Sequence, residues 1–346
     1  MHRLPPRNAR FSPSFKVALL ITLVISLCPN LLAYDSVAME RLHVVVSLIT
    51  QDNDYQVEQA AAAEEAASRL GVDVEILYAD SDSIQQSQQI LKFVQADAES
   101  RPDGIILEPV GGTGLPQVAR AAVAAGIGWV VLNREVDYVK QLRQSSKRPI
   151  FAVTSDNLEI GRIQGQQLAA LLPKGGTVLY IQGPSETDAA RLRTEGIQET
   201  KPQAIQLKAM KGSWTEASAF KAVTNWLRLS TSVQSHIDVI AAQNDAMAIG
   251  AKKALQEFAF EGEARDRWLS IPFLGCDGVP KTGQAWARSG ILAATVIAPP
   301  LAGQGLEMLV HALQTQAVPH ELTLVAPRSF PALETLAAIS VQPAKT

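Results

Sequence analysis

Residues 42–78 read LHVVVSLITQDNDYQVEQAAAAEEAASRLGVDVEILY, and the order of the periodicities within them decides the fold class. Leu42–Ile49 is a continuous apolar run of strand length. Val57–Leu70 is alanine-rich, with helical character, and stops at Gly71, a residue that tolerates the left-handed backbone at a helix end. Val72–Tyr78 returns to strand. A strand that is apolar at every position has both faces covered, so this unit predicts a parallel sheet with helices on each side.

The same alternation continues outward. Helix is expected at Ser83–Ala98, strand at Gly104–Leu107, helix at Leu115–Ala125 and strand at Trp129–Leu132. A polar stretch, Val139–Arg148, separates this half from a second one. That half runs through Ile150–Val153, Leu158–Leu172, Thr177–Gln182 and Ala189–Thr200 to Val239–Ala242, Ala246–Phe258 and Ile291–Ile297. Two α/β halves also suit a chain of 346 residues, since single cores rarely grow beyond ~250–300 residues. Open parallel sheets place ligands at the carboxyl ends of their strands. Those ends carry Glu108, Asn133-Arg134, Thr154-Ser155-Asp156, Gln182-Gly183, Gln243-Asn244-Asp245 and Cys276-Asp277-Gly278. Hydrogen-bonding residues at nearly every exit predict a polar ligand cleft between two domains.

Composition narrows the function classes. A chain that is 47% hydrophobic and 19% charged is globular rather than disordered, and a net charge of −3 offers no basic footprint for nucleic acid. The first 16 residues hold Arg3, Arg7, Arg10 and Lys16 and no acid, and the apolar run VALLITLVISL follows at 17–27. With Pro29 and small residues behind it, residues 1–38 read as a secretory signal peptide cleaved after Ala33 or Ala38, with an uncleaved membrane anchor as the rival. Cys28 invites a lipoprotein reading, against which stands the bulk of Leu27. Four of the 31 basic and one of the 34 acidic residues leave with that segment, so the exported remainder sits at −6. It keeps only Cys276, which forms no intramolecular disulfide and reads as a buried structural thiol.

Enzyme signatures are missing. The chain has no G-x-S-x-G elbow, Walker loop or H-E-x-x-H, and His2, His43, His236, His311 and His320 lack metal-ligand spacing. The GGTG at 111–114 lacks dinucleotide-loop spacing and reads as a plain turn. No cofactor is expected.

Several phrases in order carry a family resemblance: NDYQ at 53–56, DGIILEP at 103–109, VVLNRE at 130–135, VTSDN at 153–157, ETDAARLRTEGI at 186–197, AQNDAMAIGAKKAL at 242–255, LGCDGVP at 274–280 and ILAATV at 291–296. From about Arg41 to Leu324 the chain resembles the type I periplasmic binding proteins of the ribose and galactose class, receptors that feed sugar ABC importers. The resemblance implies an α/β fold of two Rossmann-like lobes with parallel sheets, joined by three crossovers near Val153–Ser155, Ala298–Pro299 and Leu322–Val325. It divides the chain into a first lobe, 39–153 plus 299–323, and a second, 154–298 plus 324–346. It also implies periplasmic capture of a small polar ligand, a sugar or related polyol, by hinge closure without catalysis, and delivery by a monomer to an ABC importer permease. A receptor of the same fold docking on a membrane sensor kinase is the alternative. Less favoured is a LacI-like effector-binding core, which would carry a basic helix-turn-helix where this chain has its signal-like segment.

The resemblance also names site residues. Tyr55 and Trp214 fall where aromatic rings sandwich a sugar, Arg134 and Arg191 where guanidinium forks meet hydroxyls or a carboxylate, and Asn244 and Asp277 where an amide and a carboxylate bind adjacent hydroxyls. Asn133 stands where many members have Asp, so an acceptor carboxylate becomes an amide. Ala298 stands where a hinge-adjacent Gln is usual. Asp52 and Asp54, in a first loop two residues longer than in ribose receptors, leave room for an amino- or polyol-type ligand.

Overall fold

The computed structural model describes residues 41–111, 115–233, 235–260 and 262–341, so the signal-like segment with Cys28 and residues 112–114 of the Gly-rich turn lie outside the described residues. In chain order the strands are β1 His43–Leu48, β2 Asp73–Tyr78, β3 Gly104–Leu107, β4 Gly128–Leu132, β5 Ile150–Ser155, β6 Gly176–Gln182, β7 Ile205–Lys211, β8 Val239–Ala242, β9 Phe273–Leu274, β10 Thr295–Ile297, β11 Leu322–Val325 and β12 Arg328–Phe330. The helices are α1 Asp54–Leu70, α2 Ser83–Gln95, α3 Pro116–Ala124, α4 Tyr138–Ser145, α5 Asn157–Leu171, α6 Asp188–Thr200, α7 Glu216–Leu227, α8 Ser230–Val233, α9 Asp245–Glu257, α10 Gly262–Leu269, α11 Gly283–Arg288, α12 Ala302–Thr315 and α13 Leu333–Val341.

Two parallel sheets result. The first runs β11-β5-β4-β3-β1-β2 and the second β7-β6-β8-β9. The antiparallel pair β10-β12 is tied to the second sheet by parallel bridges Leu274–Ala294 and Asp277–Ile297. Each sheet is covered on both faces, which is why its inner strands are largely apolar, whereas the edge strands β2 and β7 carry charged, exposed residues. On one side of the first sheet Val44, Val46, Leu48, Ile106 and Val130 pack with the alanine face of α1 and with Leu306 and Leu309 of α12. On the other, Val45, Ile105, Leu107 and Val131 meet α2, α3 and α4. The second sheet is covered by α7 and α9 on one side and by Leu168 of α5, Ile197 of α6 and Leu336 of α13 on the other.

The chain passes between the sheets three times: after β5, between β10 and α12, and between β11 and β12. A fifth buried cluster sits at these passages, where Tyr55 of the first lobe packs with Ile160, Ile163, Cys276, Val296 and Ala298.

Two local expectations are corrected. The polar stretch 139–148 is helical over most of its length, because Tyr138, Val139 and Leu142 recur at helical spacing and bury one face of α4. The strand expected over Ile291–Ile297 shrinks to Thr295–Ile297, because the backbone N–H groups of Ile291 and Leu292 turn back to the Trp286 carbonyl. No described helix is long and apolar enough to cross a membrane.

Candidate functional site

The helix that follows β1 begins at an asparagine. Asn53 has extended backbone, and its Oδ1 accepts from the N–H groups of Tyr55 (2.9 Å) and Gln56, capping α1. The cap leaves its Nδ2 free to reach across to the other lobe, where it donates to the Trp214 carbonyl (3.1 Å). Asn244 repeats the arrangement from the second lobe. Its Oδ1 caps α9 through Met247 N–H (2.9 Å), and its Nδ2 donates to the same carbonyl (2.8 Å). Two cap asparagines, one per lobe, thus hold one peptide oxygen, which Trp214 presents from the left-handed region at φ 64°. The Trp214 ring lies against Gly183, where a Cβ would stand 2.2 Å from Cζ2, so no larger residue fits there.

Around this clasp lies a cavity of about 320 Å³ lined by Asn53, Tyr55, Gln56, Glu108, Asn133 and Arg134 from the first lobe and Arg193, Trp214, Asn244 and Asp277 from the second. That volume is at the small end of ligand pockets, about 300–1,000 Å³, and suits an occupant of monosaccharide size.

Six of the nine expected residues are brought together and line this cavity: Tyr55, Asn133, Arg134, Trp214, Asn244 and Asp277. Three do not. Arg191 points to solvent, its side chain 59% exposed and paired with Asp188 (3.1 Å) and Glu195 (3.7 Å) on its own helix. Residues two apart on a helix point about 200° from each other, so Arg193, not Arg191, faces the cleft. Arg193 shares the buried face of α6 with Ala190, Gly196 and Ile197, a spacing readable in the sequence. Its Nε donates to Asn157 (3.0 Å), its Nη1 donates to the Gln243 carbonyl, and its guanidinium lies 5.5 Å from the centre of the Trp214 ring. Helix α6 gets this close because α5 and α6 meet at glycines. A Cβ on Gly161 would stand 2.2 Å from the Arg193 carbonyl oxygen. Asp52 and Asp54 are exposed and outside the cavity, Asp54 lying in the first turn of α1.

Glu108 stands at a strand exit in the sequence, yet the family resemblance gave it no ligand role. It is buried at the exit of β3, its Oε1 accepting from Asn133 Nδ2 (3.0 Å) and its Oε2 from Gln59 Nε2 (2.9 Å). A carboxylate from the neighbouring strand thus stands beside Asn133 and is held by its amide. Gln59 also ties this carboxylate to the hinge: its Oε1 accepts from the N–H groups of Leu301 (2.6 Å) and Ala302 (2.8 Å). One turn earlier on α1, the Tyr55 hydroxyl donates to the Pro299 carbonyl (3.1 Å). Ala298 contributes only apolar packing and a backbone N–H to the Asp277 carbonyl (3.0 Å).

Burial sets the electrostatics. It pushes the Glu108 carboxyl above the ordinary carboxylate range, against the opposing pull of Asn133, Gln56, Gln59 and Arg134. Asp277 is held well above that range by burial first, with Asp245 and Glu108 adding repulsion that Arg193 only partly offsets. Burial likewise lowers Arg134. Arg134 is 8% exposed and Asp277 half-buried, and among the described residues the guanidinium of the one makes no hydrogen bond and the carboxylate of the other accepts none. Cys276 lies behind the site, a free buried thiol pushed up to about 12 by burial. No described cluster of three or more His, Cys, Asp or Glu is placed to hold a metal ion.

This architecture has known counterparts. The D-allose-binding periplasmic protein of Escherichia coli K12 is 26% identical over 273 residues, 77% of this chain and 83% of that protein. Ribose import binding protein RbsB of Salmonella typhimurium is 28% identical over 314 residues, 88% of this chain and 95% of its own length. The crystal structure of a galactofuranose binding protein superposes with a TM-score of 0.72 at 23% identity, covering 86% of this chain and 97% of that one, which shows a shared fold. The model of the family described as a periplasmic binding protein domain matches residues 44–317, most of the chain. Two parallel-sheet lobes, a cleft lined from both and a match over that length have one reading: the chain belongs to the periplasmic binding protein domain family of non-catalytic solute-binding proteins.

Proposed function

We propose that the protein captures a sugar or closely related polyol outside the cytoplasm by closing its lobes around it, and delivers it to an ABC importer. The observation that carries this reading is a cavity of monosaccharide size, lined from both lobes, in which Arg134 and Asp277 have no hydrogen-bond partner among the described residues. Arg134 is buried and Asp277 half-buried, and both face the cavity, so a ligand there meets open donors and an open acceptor at once. Hydroxyls answer both. The Trp214 ring offers a flat face to the C–H side of a sugar ring.

Closure follows from where the groups sit. A ligand held by Arg134 and Glu108 on one lobe and by Asp277 and Arg193 on the other meets its full set of partners only when the lobes are together. That differential affinity shifts the open–closed equilibrium toward closed. The relatives favour delivery over docking on a sensor kinase, since one of them is named for ribose import. Residues 1–38 would direct export.

Isothermal titration against pentoses, hexoses and inositols tests the reading. One or more of these is expected to bind with heat and with a change in tryptophan fluorescence. The absence of binding by every member of the panel would overturn the sugar or polyol assignment.

A further inference from the structure

Tyr55 belongs to the first lobe through α1, yet its ring is buried in the second. The residue is 7% exposed and packs among Ile160, Ile163, Cys276, Val279, Val296 and Ala298, all of them on the second-lobe side of the three passages. Its hydroxyl donates to the Pro299 carbonyl (3.1 Å). That grip falls one residue beyond a backbone tie to the second lobe, where the Ala298 N–H meets the Asp277 carbonyl (3.0 Å). Pro299 and Pro300 each fix φ and each restrict the residue before them, so this passage bends at few bonds. The Tyr55 N–H is itself held by the Asn53 cap, whose Nδ2 crosses to the Trp214 carbonyl. Two residues at one helix end therefore span the lobes, one through a polar contact and the other through an apolar one. A ring so enclosed has no face to lay against a sugar, whereas Trp214, half-buried at the cavity, has one.

Resting on the reading that the lobes close around a ligand, we infer that Tyr55 is a positioning residue for closure: an apolar plug seated in the second lobe that favours the closed arrangement before ligand arrives, in place of the sugar-stacking role that the family resemblance implies. Opening the lobes draws the ring from its socket and exposes apolar surface on both sides. Apparent affinity scales with the fraction of the protein that is already closed, so the plug tightens every ligand by one common factor. A stacking ring would act differently, favouring ligands with a flat C–H face over those without one.

Two variants test the plug. Tyr55→Phe removes the hydroxyl and keeps the ring, and Tyr55→Ala removes both. Small-angle scattering of the ligand-free protein reads lobe separation, and both variants are expected to show a larger radius of gyration than wild type, Tyr55→Ala the larger of the two. Titration with ribose, myo-inositol and the acyclic polyol ribitol reads the second property. Each compound that wild type binds should weaken by the same factor, about two- to tenfold for loss of the hydrogen bond in Tyr55→Phe and roughly tenfold or more for loss of the buried ring in Tyr55→Ala. Should Tyr55→Ala fail to fold, Tyr55→Phe carries both readouts alone. Scattering identical to wild type overturns the inference. So does a loss confined to the ring compounds with affinity for ribitol intact, which marks a stacking ring. Failure of wild type to bind any of the three counts against the sugar or polyol reading and leaves scattering to decide the plug.

Discussion

At the scale of single residues, α6 separates two arginines that the sequence presents side by side. Arg191 sits in a solvent-exposed ion-pair cluster with Asp188 and Glu195, the kind that contributes about 0–1 kcal/mol, whereas Arg193 is buried in the cleft. Arg191→Ala is therefore expected to leave ligand affinity unchanged. Arg193→Ala should abolish measurable binding, because it removes a cleft cation and the group that braces the Trp214 ring. Titration of both variants with the same ligand checks the pair of outcomes, and loss of affinity in Arg191→Ala alone would reverse the assignment. Asp277→Ala and Trp214→Ala should each weaken binding by about 1–3 kcal/mol, the range for losing a charged hydrogen bond or an aromatic contact. Unchanged affinity in both would remove them from the site.

At the scale of the element, α1 performs three tasks from one short stretch of its surface. Its cap residue reaches the opposite lobe, Tyr55 holds Pro299, and Gln59 joins Glu108 to the start of α12. Asn53→Asp isolates the first of these. Aspartate caps as well as asparagine, but it has no N–H to give the Trp214 carbonyl. Melting temperature should stay near wild type while affinity falls. A fall in melting temperature with affinity intact would place the role of Asn53 in the helix alone. Gln59→Leu is a different kind of change, since it strands the Leu301 and Ala302 N–H groups and takes one donor from the Glu108 carboxylate. Each stranded polar group costs about 1–3 kcal/mol, so a large drop in denaturant midpoint is expected.

At the scale of the whole molecule, the second lobe contains a buried acid that makes its stability depend on pH. Asp245 accepts from Gly278 N–H (2.8 Å) and the Thr295 hydroxyl (2.7 Å), tying α9 to the turn after β9 and to β10. Burial raises its carboxyl from 3.8 to about 7 despite those bonds. Between these values the unfolded chain has lost the proton and the folded chain keeps it. The contribution of this group therefore favours folding at the acid end, declines as pH rises toward about 7, and is flat above. Thermal melts of the ligand-free protein across that window should show a decline that Asp245→Asn flattens. An identical pH profile in the two proteins would rule out Asp245 as its source.

The sequence by itself determined the alternation of strand and helix, the division into two α/β halves and the strand exits as the place to look for a site. Each of these is written in local periodicity or in the residue that ends a strand, and a parallel sheet requires little else. Even Arg193 lay on a readable face, with Ala190 and Ile197 at helical spacing around it. The polar helix α4 was harder to read, because three buried residues are outnumbered by polar ones within a single short helix. Only the tertiary structure showed that the amide of Asn133 holds the carboxylate of Glu108 at the cleft. Those residues are 25 apart in sequence and meet because β3 and β4 are neighbours. The same holds for the clasp on the Trp214 carbonyl, where Asn53 and its partner are separated by 161 residues. Contacts of that kind depend on how two lobes are set against each other, which no local pattern encodes.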